Sequence, residues 1–305
     1  MMDNNQFSQL YEEYRSLLMA VAYRMLGSVP DAEDIVQDTF LALQQQTGQI
    51  AHLKTYLCKM VTNRCINELR SARKTRTSYI GPWLPEPIVE SAPPDQYESQ
   101  ENIAYAYIVL MEQLTPAERA VFILRETLDF SYDEIAAIIN KTPANCRKIF
   151  SRSRQKMNQA QQQEQCSLTS LDLNPLSAAF SKAYLAGDLE QIVQLLSDKV
   201  TLYCDGGGKV RTAINPIYGK DRVSRLLAYY ITSHHQEETL RLLPVLVNGS
   251  SGMLLMRNNK AEGVFAFAAS AAEDFRLSAI YFIKNPDKLR EAQHFCVTNQ
   301  AAHLS

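Results

Sequence analysis

The chain has 305 residues, of which 46% are hydrophobic and 21% charged, and its formal net charge at pH 7 is −2. These values are typical of a folded protein of about two domains, and they exclude a disordered chain and a simple polycation. No apolar run reaches the roughly 18 residues of a membrane helix, and the N-terminal stretch lacks a signal-peptide pattern. The six cysteines form no CxxC pair, which favours reduced thiols in the cytoplasm over disulfides or zinc. We assign the chain no metal and no cofactor.

Three helices are predicted in the first part of the chain. Apolar residues recur every three or four positions in "LYEEYRSLLMAVAYRML", and Gly27 ends this helix. The stretch "SVPDAEDIVQDTFLAL" begins the second helix, with Pro30 early and acids in the first turn. The third helix, "HLKTYLCKMVTNRCINELRSARK", is apolar in its first half and basic at its end. The acids of the second helix fit a solvated surface or a docking face for a protein partner, since they would repel DNA.

Residues 79–100 are predicted to be a linker. They hold five of the twelve prolines and the only tryptophan of the chain. Prolines at this density exclude a regular helix and favour extended segments. Because Trp83 and Leu84 are too apolar for a purely solvated tether, we expect this linker to be partly buried.

A helix-turn-helix is predicted next. In "LTPAERAVFILRETLDF", Thr115 and Glu118 form a capping box around Pro116. "SYDEIAAIINKTPANCRKIFSRSRQKM" then gives a short helix, a turn at residues 140–142 and a second helix that opens at Pro143. A Gln-rich stretch follows, and we expect a hinge there.

The last part of the chain has a different pattern. Two short helices precede a strand, "VTLYCD", the loop "DGGGK" and a second strand, "KVRTAI". A further helix and four β-like runs complete it, with "NGSSG" as a turn between two of the runs. This order predicts an α+β domain with a mainly antiparallel sheet.

Two segments are locally basic, and each has two interpretations. One lies at the end of the third helix, and the other is the second helix of the helix-turn-helix. Such clusters neutralise phosphates, and residues at the start of a recognition helix read bases. The alternative is a solvated helical face without a partner.

The quoted segments resemble one family closely. "AYRMLGSVPDAEDIVQDTFLAL" is similar to region 2, and the helix-turn-helix to region 4, of the extracytoplasmic-function (ECF) sigma factors of bacterial RNA polymerase. "GPWLPEP", "DGGGK" and "NPDKL" resemble the subgroup that carries a SnoaL-like, NTF2-like C-terminal domain. The resemblance implies a multidomain fold, with two all-α sigma domains followed by an α+β cone. Its parts are residues 7–78 (region 2), 79–100 (linker), 101–158 (region 4), 159–170 (hinge) and 171–295 (the regulatory C-terminal domain).

The resemblance also implies partners and site residues for a protein without catalysis of its own. The partners are promoter DNA and core RNA polymerase, through its β′ and β subunits, with regulation in cis instead of by a separate anti-sigma factor. Polymerase-binding residues would be Asp31, Asp34, Gln37, Asp38 and Phe40. Residues for the −10 element would be Asn63, Arg64, Asn67, Arg70, Arg73, Lys74 and Arg76. Residues for the −35 element would be Ala144, Asn145, Arg147, Lys148, Ser151 and Arg152.

The glycine loop, Asp205-Gly206-Gly207-Gly208-Lys209, has four interpretations. A phosphate cradle fits poorly, because the loop lacks the GxxxxGK[ST] spacing and precedes a strand. A catalytic loop lacks a nearby histidine or second carboxylate in the sequence. The remaining two are a mobile hairpin and, as we favour, an interdomain contact where a bare backbone allows close approach. The partner of the loop would be the linker at Trp83, Leu84 and Pro85 or the basic end of region 2. Asn285, Pro286 and Asp287 are also assigned to this contact, where they would shape a neighbouring loop.

Two functional alternatives to a regulated sigma factor remain at this point. One is a SnoaL-like enzyme fused to a DNA-binding module, which would need paired catalytic groups in a pocket. The other is a sensor whose C-terminal pocket binds a small ligand. The runs "VFAFAA" and "AIYFI" would line an apolar pocket or belong to an ordinary core.

Overall fold

A computed structural model describes residues 4–46, 48, 50–76, 78–91, 104–164, 173–235, 239–270 and 276–302. The chain forms two compact units. The first, which we call the sigma unit, comprises residues 1–78 and 111–159, and the second comprises residues 79–110 and 160–305. The predicted linker is therefore part of the same unit as the C-terminal domain. In the described ranges, no helix is long and apolar enough to span a membrane.

The helices and strands follow one another in the order expected for helical regions followed by an α+β domain. The helices are α1 Asn4–Leu26, α2 Val29–Gln44, α3 Leu53–Arg76, α4 Tyr105–Leu110, α5 Pro116–Phe122, α6 Tyr132–Ile139, α7 Pro143–Glu164, α8 Leu173–Ala186, α9 Leu189–Leu195, α10 Lys220–His235 and α11 Arg290–Ala302. The strands are β1 Val89–Glu90, β2 Leu196–Asp205, β3 Ile217–Tyr218, β4 Leu240–Val247, β5 Ser250–Arg257, β6 Lys260–Ser270 and β7 Arg276–Ile283. A π-helical turn, Ile123–Thr127, follows α5, and a 3₁₀ turn, Pro286–Lys288, precedes α11.

The helix boundaries in the sigma unit follow the capping signals of the sequence. Gly27 ends α1 with φ 68°, and its amide donates to the carbonyl of Tyr23 at 2.7 Å. Ser28 caps α2. The predicted capping box of Thr115 and Glu118 is present at the start of α5, where each side chain accepts from the backbone amide of the other residue.

Region 2 and region 4 share one hydrophobic core in the sigma unit. Helix α3 packs against α1 and α2 on one side and against α5 and α6 on the other. Arg119 of α5 is 2% exposed; its guanidinium donates to the carbonyl of Met25 and to Glu112, each at 2.7 Å. Two charge-assisted bonds of this kind stabilise a buried guanidinium and fix the position of α5 against α1.

The C-terminal domain is built on a seven-stranded sheet in the order β1-β4-β5-β6-β7-β2-β3. The β2–β7 pair is parallel, and all the others are antiparallel. Helices α8, α9 and α10 cover one face, with Phe180 of α8 lying against Phe265 and Phe267. The rings of Phe265 and Phe282 stack at 3.9 Å. The runs "VFAFAA" and "AIYFI" therefore belong to the core, which is one of the two interpretations that the sequence left open.

Two sequence predictions in this unit are corrected by the structure. The segment "KVRTAI" is not a strand, because Gly207 and Gly208 have positive φ and the amides of Lys209 and Val210 both donate to the carbonyl of Gly206. The chain turns back on itself there, and the next strand is the short β3. In addition, helix α7 continues to Glu164 into the stretch expected to be a hinge.

Candidate functional site

The start of α7 presents an exposed polar surface. Ser131 and Glu134 form a second capping box at α6, and Asn140 turns the chain with φ 54° before α7 begins. Cys146 and Ile149 point into the core. The six residues expected at the −35 element are all exposed on the remaining faces: Ala144, Asn145, Arg147, Lys148, Ser151 and Arg152.

The cations of α7 differ in the kind of side chain that each of them contacts. The guanidinium of Arg147 lies 5.2 Å from the ring centre of Tyr132, which holds it at the surface. Lys156 instead donates to both carboxylate oxygens of Glu118 at 2.8 and 2.9 Å. Burial alone would raise the pKa of Glu118, but the bonds from Lys156 and Thr115 outweigh it and lower that pKa. Lys156 therefore serves the fold of region 4.

Some of the residues expected at the −10 element bind other residues of the chain in this structure. The amide of Asn63 donates to the carbonyl of Ile138 in α6 at 3.3 Å. Arg64 pairs with Asp38 at 3.2 Å, so a residue proposed for DNA contacts one proposed for polymerase. Asn67 and Arg70 are exposed. The other three, Arg73, Lys74 and Arg76, lie in the last turns of α3, and their side chains fall outside the described residues.

Four of the five proposed polymerase-binding residues share one exposed face of α2: Asp31, Asp34, Gln37 and Asp38. Phe40 does not belong to it. It is 2% exposed, and its ring centre lies 4.8 Å from that of Tyr11 and 6.1 Å from that of Phe7. Phe40 therefore holds α1 against α2. Leu41, which sequence reasoning missed, is 48% exposed on this helix.

A buried carboxylate binds the linker to the C-terminal domain. Asp205, at the end of β2, is fully buried and accepts from the Tyr79 hydroxyl at 2.6 Å, the Leu84 amide at 2.9 Å and the Lys288 ammonium at 2.7 Å. A fourth bond comes from the amide of Gly207 at 3.0 Å. We call Tyr79, Leu84, Asp205 and Lys288 the linker anchor. Burial, followed by the bond to the carboxylate, raises the pKa of Tyr79, so this hydroxyl stays a donor.

Lys288 joins both sides of the linker anchor. Its ammonium also donates to the carbonyl of Leu84 and lies 4.1 Å from the ring centre of Trp83. Sequence reasoning missed both Lys288 and Tyr79. The lysine of "NPDKL" was visible in the motif, whereas nothing near Tyr79 in the sequence distinguishes it.

The glycine loop packs against the linker and against the turn at residues 285–288. A Cβ atom on Gly207 would lie 2.3 Å from the side-chain nitrogen of Asn285, and one on Gly208 would lie 2.9 Å from Ile80. The Asn285 side chain donates to the Tyr79 hydroxyl at 2.9 Å and accepts from the amide of Asp287 at 3.1 Å. The structure thus brings the three segments proposed for an interdomain contact together.

The edges of this contact differ in burial. Lys209 and Asp287 form an ion pair at 2.6 Å, but both side chains are more than half exposed, so the pair contributes little to stability. Pro286 begins the 3₁₀ turn. A Cβ on Gly206 would lie 2.3 Å from the carbonyl of Val210, so only glycine fits where the loop folds over it.

The linker is held at two further places in the second unit. Strand β1 pairs with β4, and Ile88 exchanges hydrogen bonds with Asn248: its amide donates at 3.2 Å and its carbonyl accepts at 2.9 Å. The hydroxyl of Tyr105, at the start of α4, donates to the carbonyl of Pro85 at 2.6 Å, and its ring packs on Tyr281. Residues 79–90 of the linker and Tyr105 beyond it are therefore attached to the C-terminal domain.

Comparisons with known proteins agree with this geometry. Residues 10–75 match the family Sigma-70 region 2, and residues 105–157 match Sigma-70, region 4. The ECF RNA polymerase sigma factor SigJ of Mycobacterium tuberculosis is 32% identical over 290 residues, which cover 91% of each chain. The ECF sigma factor SigI of the same organism is 26% identical and covers 95% of this chain and 97% of that one.

The same relationship holds in three dimensions. The crystal structure of Mycobacterium tuberculosis SigJ matches with a TM-score of 0.73 at 27% identity, over 93% of this chain and 98% of that chain. The predicted family and fold class, two helical sigma regions followed by an α+β domain, are thereby confirmed. The chain belongs to the ECF family of RNA polymerase sigma factors.

Proposed function

We propose that the linker anchor restrains this sigma factor in cis and must release the linker before the factor can act on a promoter. As an ECF sigma factor, the chain binds core RNA polymerase and directs it to promoters. The observation that carries the proposal is Asp205, a fully buried carboxylate whose two side-chain oxygens bind linker groups from Tyr79 and Leu84. Such a carboxylate is costly to bury unless all these donors are in place.

The sigma unit is compact in a way that promoter reading does not allow. Region 2 and region 4 are expected at the −10 and −35 elements, which lie about 25 base pairs apart, or about 85 Å at about 3.4 Å per base pair. Helices α3 and α6 pack directly, with the Asn63 side chain bonded to α6. Packed helices lie about 8–10 Å apart. Regions 2 and 4 must therefore separate before both elements can be read.

The linker is long enough for this separation only when it is free. Residues 79–104, extended at about 3.3 Å per residue, span at most about 86 Å. With residues 79–90 and Tyr105 attached to the C-terminal domain, that reach is lost. The anchor therefore opposes the separation of regions 2 and 4, and polymerase binding must supply the free energy of release.

The residue roles within this proposal follow the exposed surfaces. The acidic face of α2 would bind the polymerase β′ subunit, the exposed side chains of α3 would contact the −10 element, and the start of α7 would contact the −35 element. Contacts with the β subunit, action in the cytoplasm and independence from a separate anti-sigma factor stay predictions of the family resemblance. The lack of a catalytic activity is also part of the proposal. Asp205, the acid that an enzyme would need, is already bound by four donors.

Run-off transcription with core polymerase and the full-length chain tests the proposal, on promoters selected from a random library. Lys288→Met removes the ammonium of the anchor, and Lys209→Met, in the same contact but on an exposed ion pair, is the matched control. Removing one partner of a buried ion pair costs about 3 kcal/mol, or about a hundredfold in the ratio of bound to free linker.

At subsaturating sigma factor, we expect Lys288→Met to raise the amount of run-off transcript by about tenfold or more. Lys209→Met should stay within about twofold of the unchanged chain. Circular dichroism checks that both variants are folded. If folded Lys288→Met initiates at or below the level of the unchanged chain, the anchor is not a restraint and the proposal fails.

A further inference from the structure

The C-terminal domain has a cavity of about 860 Å³ beside α10 that the linker does not fill. Its walls are one side of α10, the loop that follows the glycine loop, and the ends of β5 and β7. This volume is in the range of about 300–1,000 Å³ typical of small-molecule sites. The sigma-factor function described above makes no use of it.

The lining of this cavity is strongly basic. It includes five cations and no aspartate or glutamate: Arg211, Arg222, Arg225, Arg257 and Lys284. The whole chain has a net charge of −2, so this concentration of positive charge is local. Arg257 pairs with Glu262 at 2.9 Å. Within the described part of the chain, no carboxylate forms an ion pair with Arg211, Arg222 or Lys284.

Lys284 is the cation whose position most needs an anion. Its side chain is half-buried, and the ammonium lies 5.7 Å from the ring centre of Tyr230 and 5.4 Å from that of Phe282. Aromatic faces are a weaker partner for a desolvated ammonium than a carboxylate. Burial lowers the pKa of Lys284, and the charge of Glu262 only partly opposes this shift. An anion next to it would restore the balance.

The remaining wall is apolar and aromatic. Leu226, Tyr229 and Tyr230 of α10 line it together with Ile217. Tyr229 is 62% exposed, an unusual state for a large ring, and its ring centre lies 5.9 Å from that of Tyr230. A flat apolar body would pack against these rings and cover them.

We propose that this cavity binds a small aromatic carboxylate, whose charge lies between Lys284 and the arginines and whose ring packs on Tyr229 and Tyr230. The planar guanidinium forks of Arg211 and Arg222 suit bidentate binding of a carboxylate. A concave site with Lys284 at half-buried depth does not suit the phosphates of a DNA duplex. The C-terminal domain is thus a receptor for an anionic metabolite and not only a support for the linker.

The cavity and the linker anchor share backbone. The amides of Lys284 and Asn285 donate to the carbonyl of Asp205 at 2.7 and 2.9 Å, and the glycine loop leads from Asp205 into the loop that lines the cavity from Arg211 onward. A Cβ on Gly81 of the linker would lie 3.7 Å from the carbonyl of Ile214 in that loop. We therefore expect ligand binding and linker release to be coupled, and by linkage each changes the other's equilibrium by the same factor. This coupling, unlike the binding itself, rests on the proposed function.

Isothermal titration of the full chain tests the binding without polymerase. The probes are 2-naphthoate, its neutral isostere 2-naphthamide, and inorganic phosphate. We expect 2-naphthoate to bind at least about tenfold more tightly than either of the others, because only it combines charge with a ring. Equal binding of the amide, or no binding of naphthoate, would overturn the proposal.

Variants identify the site. Lys284→Met should weaken naphthoate binding by about tenfold or more. Lys220→Met, on α10 but paired with Asp198 outside the cavity, should leave it unchanged. Arg222→Gln changes an exposed side chain, leaves the core intact and should also weaken naphthoate binding. It therefore tests the site even if Lys284→Met does not fold. Equal losses in Lys220→Met and in the cavity variants, or displacement of naphthoate by a short DNA duplex, would refute a small-anion site.

The coupling has its own readout. Lys288→Met, in the linker anchor, should change the affinity for naphthoate severalfold although it lies outside the cavity. If naphthoate binds as predicted and Lys288→Met has no effect, the coupling is refuted and the binding site stands. If naphthoate does not bind, the cis restraint is unaffected, because its test uses transcription alone.

Discussion

Gly207→Ala probes the contact between the glycine loop and the linker, and Gly219→Ala is its matched control. Both glycines have positive φ, 59° and 88°, so an alanine costs about 1–2 kcal/mol at either position. At Gly219 the new methyl group meets nothing within 4 Å. At Gly207 it collides with Asn285, whose bonds to the Tyr79 hydroxyl and the Asp287 amide must break. Two lost hydrogen bonds add about 2 kcal/mol, which gives about 3–4 kcal/mol in total.

Trp83 provides the assay for this pair of variants. It is the only tryptophan of the chain, and it lies against Lys288 in the linker contact. Denaturant titration followed by its fluorescence therefore reports the loss of linker docking. We expect the Gly207→Ala transition to be about 2 kcal/mol less stable than that of Gly219→Ala. Equal destabilisation by the two variants would refute the argument that the glycine loop is bare because the linker contact requires it.

Three further predictions concern other groups. Glu118→Gln should destabilise the sigma unit near neutral pH. Because the pKa of Glu118 is lowered on folding, its contribution is complete above the usual value of 4.5 and is lost as pH falls through the lower folded value. The denaturation midpoints of variant and unchanged chain should therefore converge as the pH falls below 4.5. Burial raises the pKa of Cys58 to about 11 and that of Cys204 to about 12, so iodoacetamide should spare both in the native chain and modify both after denaturation, as mapped by mass spectrometry; modification in the native state would contradict their burial. Arg152→Ala removes an exposed cation. It should lower the slope of log K against log [salt] for promoter binding by the holoenzyme by about 0.9. Lys156→Ala should change this slope less, because Glu118 already neutralises that ammonium.

Local features of the sequence predicted most of the helices and five of the seven strands in the described residues. Helical periodicity and capping residues act within a few positions, so Gly27, Thr115 and Asn140 marked real helix ends. The prediction failed where composition alone does not determine the conformation. "KVRTAI" has a strand-like composition, but its conformation is decided by the turn at the glycines and by packing that the composition does not encode.

The linker contact shows the same limit for the site. The motifs "GPWLPEP", "DGGGK" and "NPDKL" could be recognised, yet Asp205 finds Tyr79 and Leu84 across 126 and 121 positions. No local pattern specifies such pairs, which is why Tyr79 and Lys288 were missed and β1 was expected only as an extended stretch. Phe40 was wrongly assigned to the polymerase-binding face, because the helical pattern alone did not show that Tyr11 and Phe7 of α1 cover it.

Hydrogen–deuterium exchange at the end of strand β4, which pairs with β1 of the linker, tests most directly whether the linker leaves the C-terminal domain. The amide of Asn248 donates to the carbonyl of Ile88, so its protection from exchange depends on whether the linker is docked. Peptides covering residues 244–250 would be compared in the free chain and in the complex with core polymerase and promoter DNA. We predict faster exchange at Asn248 in the complex, because release of the linker exposes this edge. Equal protection in the two states would mean that the linker stays docked during initiation, and it would contradict the account of a restraint in cis.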